Sequence, residues 1–473
     1  MSIKFGTDGW RAIIAEDFTF DNVRICAQAV ASYLKDSGLA SRGLLVGYDT
    51  RFASEDFAAA TAEVVAANGI NVYLCTKAAP TPVVSFGVWQ RHLGGAVIIT
   101  ASHNPRQWNG FKIKSETGSS AAPEITEKVE KHIGSILASG SIKRIPLEQG
   151  NSKGNIEYID LASDYMAHIS KLVDLDDLRR SGILVAVDSM HGAGAGYIKK
   201  ILSGGRTKVT EIKSQRNPNF PGMERPEPIA VNLTALSALV RRQRANVGLA
   251  TDGDADRVGI MDEKGNFLNQ LQVFALLALY LLQVREQRGP IVKTVTAGTM
   301  PDLLGKIFNV PVHETQVGFR YVGPKMLETG ALIGGEESGG YGFRGHVLER
   351  DGLLAGMFIL DFMVKTGKTP SQLMDYLVHK VGPHYYNRFD VEFSAEQRQA
   401  IMARVSQSSL GKLADRCVVN KDTLDGYRFH LDDGSWLLIR LSGTEPLLRF
   451  YAESDNTDKV ENLLEAGRKL AGV

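Results

Sequence analysis

No segment of this chain is apolar over the roughly 20 residues that a membrane-spanning helix requires. The longest apolar run, 273–284 (VFALLALYLLQV), is too short for that and reads as a buried helix. The opening residues, MSIKFG, carry no apolar core of the kind a secretory leader has, so no leader is expected. Cysteine is scarce. Cys26, Cys75 and Cys417 stand far apart without metal-ligand spacing, which argues against a disulfide scaffold or a zinc site and predicts reduced core thiols in a cytoplasmic protein. Neither sign of charge dominates, with 54 Lys and Arg against 53 Asp and Glu, so no overall field draws the protein to nucleic acid or to an anionic membrane. Any anion site must be built locally.

What is present is ordinary globular material in quantity. A chain of 473 residues exceeds a single core and predicts three to four domains of about 100–150 residues. Its 44% apolar and 23% charged content gives no sign of disorder, and its 48 glycines imply many tight turns.

Three long segments repeat one order of elements. Each opens on a short apolar strand, 44–48 (LLVGY), 183–187 (ILVAV) or 291–295 (IVKTV). A helical stretch leads to a second strand, 71–75, 208–212 or 310–314, and another helix leads to a third, 96–99, 246–250 or 331–333. Strands separated by helices predict parallel pairing with right-handed crossovers, and ligands bind such sheets at the carboxyl ends of their strands. The loops after the three third strands are therefore the expected functional edge. The tail, with strands at 390–393, 427–431, 436–440 and 449–453, reads as α+β without the repeat. The expected architecture is α/β: three tandem repeated α/β domains with mixed, mostly parallel sheets plus a C-terminal α+β domain, around a central cleft. Turn-rich stretches at 149–154, 262–266 and 367–370 suggest units of 1–150, 151–260, 261–375 and 376–473.

The first functional loop holds Ser102 and His103 at the end of a buried strand. Ser102 reads as a plain loop serine or a nucleophile. On an extended chain adjacent side chains point apart, so His103 is poorly placed as its base, and no Gly-x-Ser-x-Gly elbow is present. Downstream, Asn109-Gly110 reads as a turn that brings Lys112 within reach, although Lys112 also reads as a solvated strand lysine. The second loop is the strongest signal: Asp252, Asp254 and Asp256 alternate with small residues before Arg257. Three carboxylates converge only around a positive charge, and hard oxygen ligands suit Mg²⁺ or Ca²⁺. An EF-hand would take Glu263 at position twelve, but Arg257 replaces its turn glycine and a strand precedes the loop. A solvated acidic turn is the remaining alternative. The third loop, 334–340 (GGEESGG), offers Glu336 and Ser338 to sugar hydroxyls on a backbone that glycine lets approach a ligand. In the tail, 440–446 (RLSGTEP) and Arg449 combine two guanidinium groups with hydroxyls, a way to hold a phosphate dianion without a metal.

These strings, together with 5–11 (FGTDGWR) and 100–105 (TASHNP), resemble in their order the α-D-phosphohexomutases over essentially the whole chain, and are closest to bacterial phosphoglucomutase-type members. The resemblance implies that Ser102 carries a phosphate and that Asp252, Asp254, Asp256 and a phosphoserine oxygen bind Mg²⁺. It places Arg11, Lys112 and His103 around the transferring group, Glu336 and Ser338 at the sugar hydroxyls, Arg320 at the sugar phosphate, and Arg257 and Gly318 among the other substrate-binding residues. It assigns Arg440, Ser442, Gly443, Thr444 and Arg449 to the distal phosphate. The implied activity interconverts glucose 1-phosphate and glucose 6-phosphate through glucose 1,6-bisphosphate, in a monomer or homodimer. Members that accept mannose phosphates often carry histidine after Glu-x-Ser-Gly, where this chain has Gly340, while Arg320 is also similar to glucosamine-type members. Mannose or glucosamine phosphates, a glucose-1,6-bisphosphate synthase and a non-catalytic phosphosugar-binding protein are the alternatives.

Overall fold

The computed structural model describes residues 3–6, 8–393, 397–407, 411–441 and 447–473. The first sheet holds β1 (Trp10–Ile13), β2 (Leu44–Tyr48), β3 (Val72–Cys75), β4 (Ala96–Ile99), β5 (Trp108–Lys114) and β6 (Ile156–Ile159), in the order β1-β5-β4-β2-β3-β6. The second holds β7 (Leu184–Asp188), β8 (Lys208–Ile212), β9 (Val247–Thr251), β10 (Val258–Met261) and β11 (Phe267–Leu268), in the order β11-β10-β9-β7-β8. In the third, β12 (Ile291–Thr294), β13 (Val312–Thr315), β14 (Ile333–Gly335) and β15 (Tyr341–Phe343) run β13-β12-β14-β15. The fourth is antiparallel, with β16 (Tyr385–Glu392), β17 (Lys412–Leu413), β18 (Arg416–Asp422), β19 (Tyr427–Leu431), β20 (Trp436–Leu441) and β21 (Leu447–Ser454) in the order β16-β21-β20-β19-β18-β17.

The repeat is a repeat of topology. β3-β2-β4, β8-β7-β9 and β13-β12-β14 are parallel trios with the first strand in the middle, and β5, β10 and β15 each return antiparallel to the third strand. Helices cover both faces of these strands, so β2, β4 and β9 are apolar and buried along nearly their whole length. Each candidate loop lies between a third strand and its return strand.

The return strands correct two expectations. Asn109-Gly110 is not a turn but part of β5, where a Cβ on Gly110 would stand 2.4 Å from the Thr100 carbonyl oxygen, so glycine permits the close pairing. Gly334 and Gly335 belong to β14, and a Cβ on Gly335 would meet the Phe274 ring at 2.6 Å. That glycine serves helix packing instead of ligand approach.

The expected unit boundaries are crossed by the packing. β6 pairs with β3, so the first sheet runs past 150, and β11 extends the second past 260. Position 375 falls inside the helix Pro370–Val381, whose Leu373 and Leu377 are buried in the core shared by the three α/β units. That core centres on the helix Gly352–Thr366 and on Gln270–Leu279 with its π-helical continuation Tyr280–Val284, the apolar run expected to be buried. Asp351 caps Gly352–Thr366 by accepting from Leu354 N, and accepts from Tyr165 Oη at 2.7 Å, which joins the second unit to the third. Among the described residues no helix is long and apolar enough to cross a membrane. Cys26 and Cys75 are buried, but Cys417 is exposed, on β18, a strand with no fully buried residue.

Gly335→Val would overpack a rigid contact with the fully buried Phe274. The expected cost is about 1–3 kcal/mol of stability, seen as a lowered midpoint in chemical denaturation.

Candidate active site

Ser102 is presented by a strained loop. Its φ of 51° lies in the left-handed region, its N–H donates to Thr100 Oγ1 at 2.8 Å, and its side chain is buried. Arg51, at the carboxyl end of β2, holds this shape. Its guanidinium donates to the carbonyls of Ser102 and Asn104 at 2.6 Å and of Pro105 and Trp108 at 3.0 Å. Asp49 pairs with Arg51 Nε at 3.3 Å and accepts from Thr100 Oγ1 at 2.6 Å. The left-handed turn also corrects the expectation for His103. Because the chain is not extended there, His103 Nδ1 lies 3.3 Å from Ser102 Oγ, within hydrogen-bonding reach.

Ser102 Oγ donates to Asp252 Oδ2 at 2.8 Å, across the boundary between the first and second units. Asp252, Asp254 and Asp256 are buried, with one ligand oxygen from each within 4.8 Å of the others. Lys112 reaches the same place from β5, 2.7 Å from Asp8, 2.8 Å from Asp254 and 3.4 Å from Asp256. It is a buried lysine, not a solvated one. Arg350 arrives from the third unit, 2.8 Å from Asp8, 2.9 Å from Asp256 and 3.5 Å from Glu336. Arg11 donates to Asn104 Oδ1 at 2.6 Å, and Arg257 to Glu227 Oε1 at 2.9 Å. Glu263, the would-be twelfth EF-hand ligand, instead accepts from Ser371, so the calcium-loop reading fails.

The charges are arranged to keep the carboxylates together only with help. Burial, with Asp254 and Asp256 beside it, pushes Asp252 well above the usual carboxylate range. Burial also raises Asp256, against the pull of Arg350. Asp254 is held below the ordinary range because Lys112 and Thr81 outweigh its burial. Burial would lower Lys112, yet Asp254, Asp8 and Asp256 hold it above its ordinary value and fully cationic. His103 is pushed far down by burial and by the cations Arg257, Arg11 and Lys112, so it is neutral. Asp254 Oδ1 and Asp256 Oδ1 are buried without a hydrogen-bond partner. Unpaired buried carboxylate oxygens are costly, and these two, with the strained ionisation of Asp252, fit a hard divalent cation such as Mg²⁺.

Glu336 and Ser338 lie in the third loop, which meets the second where Val258 N–H donates to the Gly339 carbonyl at 3.0 Å. Burial pushes Glu336 up to about 7, against Arg350. Gly318 takes a φ of 126° at the start of the helix Phe319–Thr329, and Arg320 from that helix donates to the Gly6 carbonyl at 3.1 Å. Arg440 and Arg449 stand directly opposite each other on β20 and β21, an arrangement of like charges that an anion would relieve. Ser442, Gly443 and Thr444 lie outside the described residues.

Asp8, Asp49, Arg51 and Arg350 were not foreseen as functional. The first three had a readable signal. Asp8 is inside the 5–11 string, and 49–51 (DTR) follows a first strand at the same sheet edge as the three loops. Arg350 had little beyond its place in a charged triplet, 349–351, before an apolar helix.

Four family models match the chain: phosphoglucomutase/phosphomannomutase α/β/α domain I at residues 2–139, domain II at 163–265, domain III at 269–381 and the C-terminal domain at 401–470. A phosphoglucomutase/phosphomannomutase of Thermococcus kodakarensis is 32% identical over 470 residues, covering 99% of this chain and 98% of that protein. A probable phosphoglucosamine mutase of Methanothermobacter thermautotrophicus is also 32% identical, covering 98% and 96%. The crystal structure of a putative phosphomannomutase from Thermus thermophilus superposes with a TM-score of 0.86 at 33% identity, over 100% of both chains.

Arg350 neutralises carboxylates from three units at once. Removing it with Arg350→Met leaves buried charges unpaired, and urea denaturation should register a loss of about 3–5 kcal/mol. A variant as stable as the wild type would mean that these carboxylates do not need it.

Proposed function

The chain belongs to the phosphoglucomutase/phosphomannomutase family, whose members transfer phosphate within hexose phosphates, and from that premise we propose that it interconverts glucose 1-phosphate and glucose 6-phosphate through a phosphate on Ser102. The observation that carries this reading is the contact of Ser102 Oγ with Asp252 Oδ2 at 2.8 Å, a hydroxyl against three clustered carboxylates.

In the proposed cycle the phosphate passes from Ser102 Oγ to the free hydroxyl of the sugar phosphate. The glucose 1,6-bisphosphate so formed turns over in the cleft and returns its other phosphate to Ser102. Free glucose 1,6-bisphosphate can also charge the serine. Asp252, Asp254 and Asp256 would hold Mg²⁺, which when bound would supply positive charge to the phosphoryl oxygens. Lys112 and Arg11 act on the same charge, and Lys112, held cationic by its carboxylates, stabilises it without taking a proton. The proton of the attacking sugar hydroxyl passes to Ser102 Oγ as the phosphate leaves it, and Ser102 Oγ gives it back to the sugar oxygen when the serine is recharged; neutral His103, 3.3 Å from Ser102 Oγ, is placed to relay it. Glu336 and Ser338 accept from sugar hydroxyls, with Arg257, Gly318 and Arg320 beside the sugar phosphate. Arg440, Ser442, Gly443, Thr444 and Arg449 anchor the distal phosphate, and holding both ends aligns the sugar for in-line attack.

Glucose is favoured over mannose because this chain has Gly340 where mannose-accepting members often carry a histidine. A Cβ on Gly340 would lie 2.3 Å from Arg350 Cδ, so a histidine there is incompatible with Arg350 in its place. A cytoplasmic location belongs to the same proposal, in keeping with the free thiols of Cys26 and Cys75.

In a panel of hexose 1-phosphates, the glucose ester should give the highest kcat/KM. Ser102→Ala should lose one phosphate by intact mass and at least about 1,000-fold in rate, and an active alanine variant would overturn the reading. Chelation by EDTA should stop turnover and Mg²⁺ restore it. Mg²⁺ should also raise the melting midpoint of the wild type by mass action, but not that of Asp252→Asn.

A further inference from the structure

The turn between β18 and β19 reaches out of the fourth sheet and docks on the third unit. There Gln316 Nε2 donates to the Leu424 carbonyl at 3.1 Å. Beside it, Val317 N–H donates to Asp425 Oδ2 at 2.9 Å. The same Asp425 oxygen lies 2.9 Å from Arg440 Nε. One carboxylate oxygen therefore touches two places that the proposed function keeps apart. Val317 precedes Gly318 and the helix that carries Arg320, at the sugar phosphate. Arg440 belongs to the distal phosphate anchor.

The arrangement around Asp425 suits a positioning role. It pairs with Arg440 at the Nε edge, 2.9 Å away, a charge contact without hydrogen-bond alignment that holds the guanidinium from one side. Arg440 is largely buried while Asp425 is 20% exposed, so the pair is partly shielded from water. Behind the turn, Arg428 grips Glu314 with both terminal nitrogens and donates to the Val295 carbonyl at 3.1 Å, which keeps the hairpin seated without Asp425. Val317 also packs against Val295, Trp436, Leu438 and Tyr451, so the loop and the fourth sheet share an apolar contact as well.

We propose that Asp425 is a positioning residue that aims the Arg440 guanidinium at the distal phosphate and holds the Val317–Arg320 segment in register with it. Through one oxygen, the grip on the sugar's far end and the loop at its near end are set together. The inference rests on the reading of Arg440 as a phosphate ligand. Since the two ends of the sugar exchange places during the cycle, Asp425 affects glucose 1-phosphate and glucose 6-phosphate alike.

Asp425→Asn keeps the size and an acceptor for Val317 N–H but loses the ion pair, while Asp425→Ala loses both. The alanine variant should raise KM for both esters about tenfold with kcat little changed, because it removes binding common to ground and transition states. The asparagine variant should fall between it and the wild type, and Asp425→Glu should recover part of the loss. Isothermal titration of glucose 1-phosphate into Ser102→Ala proteins should show the same weakening without turnover. A double-mutant cycle with Arg320→Ala should show coupling, the double variant losing less affinity than the product of the single losses. Arg440→Gln serves as the control. If it leaves KM unchanged, the phosphate-anchor reading fails. If it raises KM while Asp425→Ala does not, or if the cycle with Arg320→Ala is strictly additive, the coupling through Asp425 is refuted and the anchor stands.

Discussion

Charge held out of water is the constraint on which the centre of this molecule depends. Asp8, Asp252, Asp254 and Asp256 converge where three sheets meet, and bare carboxylates at such spacing would repel strongly in a medium of low dielectric. Lys112 from the first unit and Arg350 from the third make the assembly tolerable. Asp254 and Asp256 of the second unit are answered by Lys112 of the first and Arg350 of the third. The units are therefore joined by electrostatic need as well as by the apolar core around Gly352–Thr366. The compensation is incomplete, since two aspartate oxygens remain without a hydrogen-bond partner, a residual demand that a bound cation would meet.

The repeated topology explains how such a site can be assembled from distant segments. In each α/β unit the first strand is central, the third lies beside it and the return strand folds back along the third. Each unit thus offers a loop at the same sheet edge. Three loops from equivalent positions meet where the units pack, and each contributes a different group: the Ser102 hydroxyl, three aspartates and Glu336. The Ser102 loop needed a further device. A left-handed serine is costly, and four carbonyl oxygens gathered by the buried Arg51 keep it in that shape.

Much of this was legible in one dimension. Apolar strands at regular spacing announced three α/β units, and the α+β tail showed as a break in the pattern. The alternating aspartates announced a cation site because few other arrangements of three carboxylates are stable. What misled was local chemistry with two uses. Asn109-Gly110 carries a turn signal but serves close strand pairing, and Gly334-Gly335 suggests ligand approach but makes room for buried side chains. The boundaries misled for a related reason. Turn-rich segments mark where the chain bends, whereas β6, β11 and the helix Pro370–Val381 follow hydrogen-bonding edges and buried leucines.

The sequence by itself determined the fold class and the family, because periodicity, spacing and motif order are one-dimensional properties. The tertiary structure decided the states of the site residues. Whether Lys112 is solvated or buried, whether His103 faces Ser102 and which cation answers Asp256 depend on contacts between residues up to hundreds of positions apart. Arg350 is the clearest case. In the sequence it is one arginine among many, and its importance comes from meeting Asp8, Asp256 and Glu336 at a single buried point.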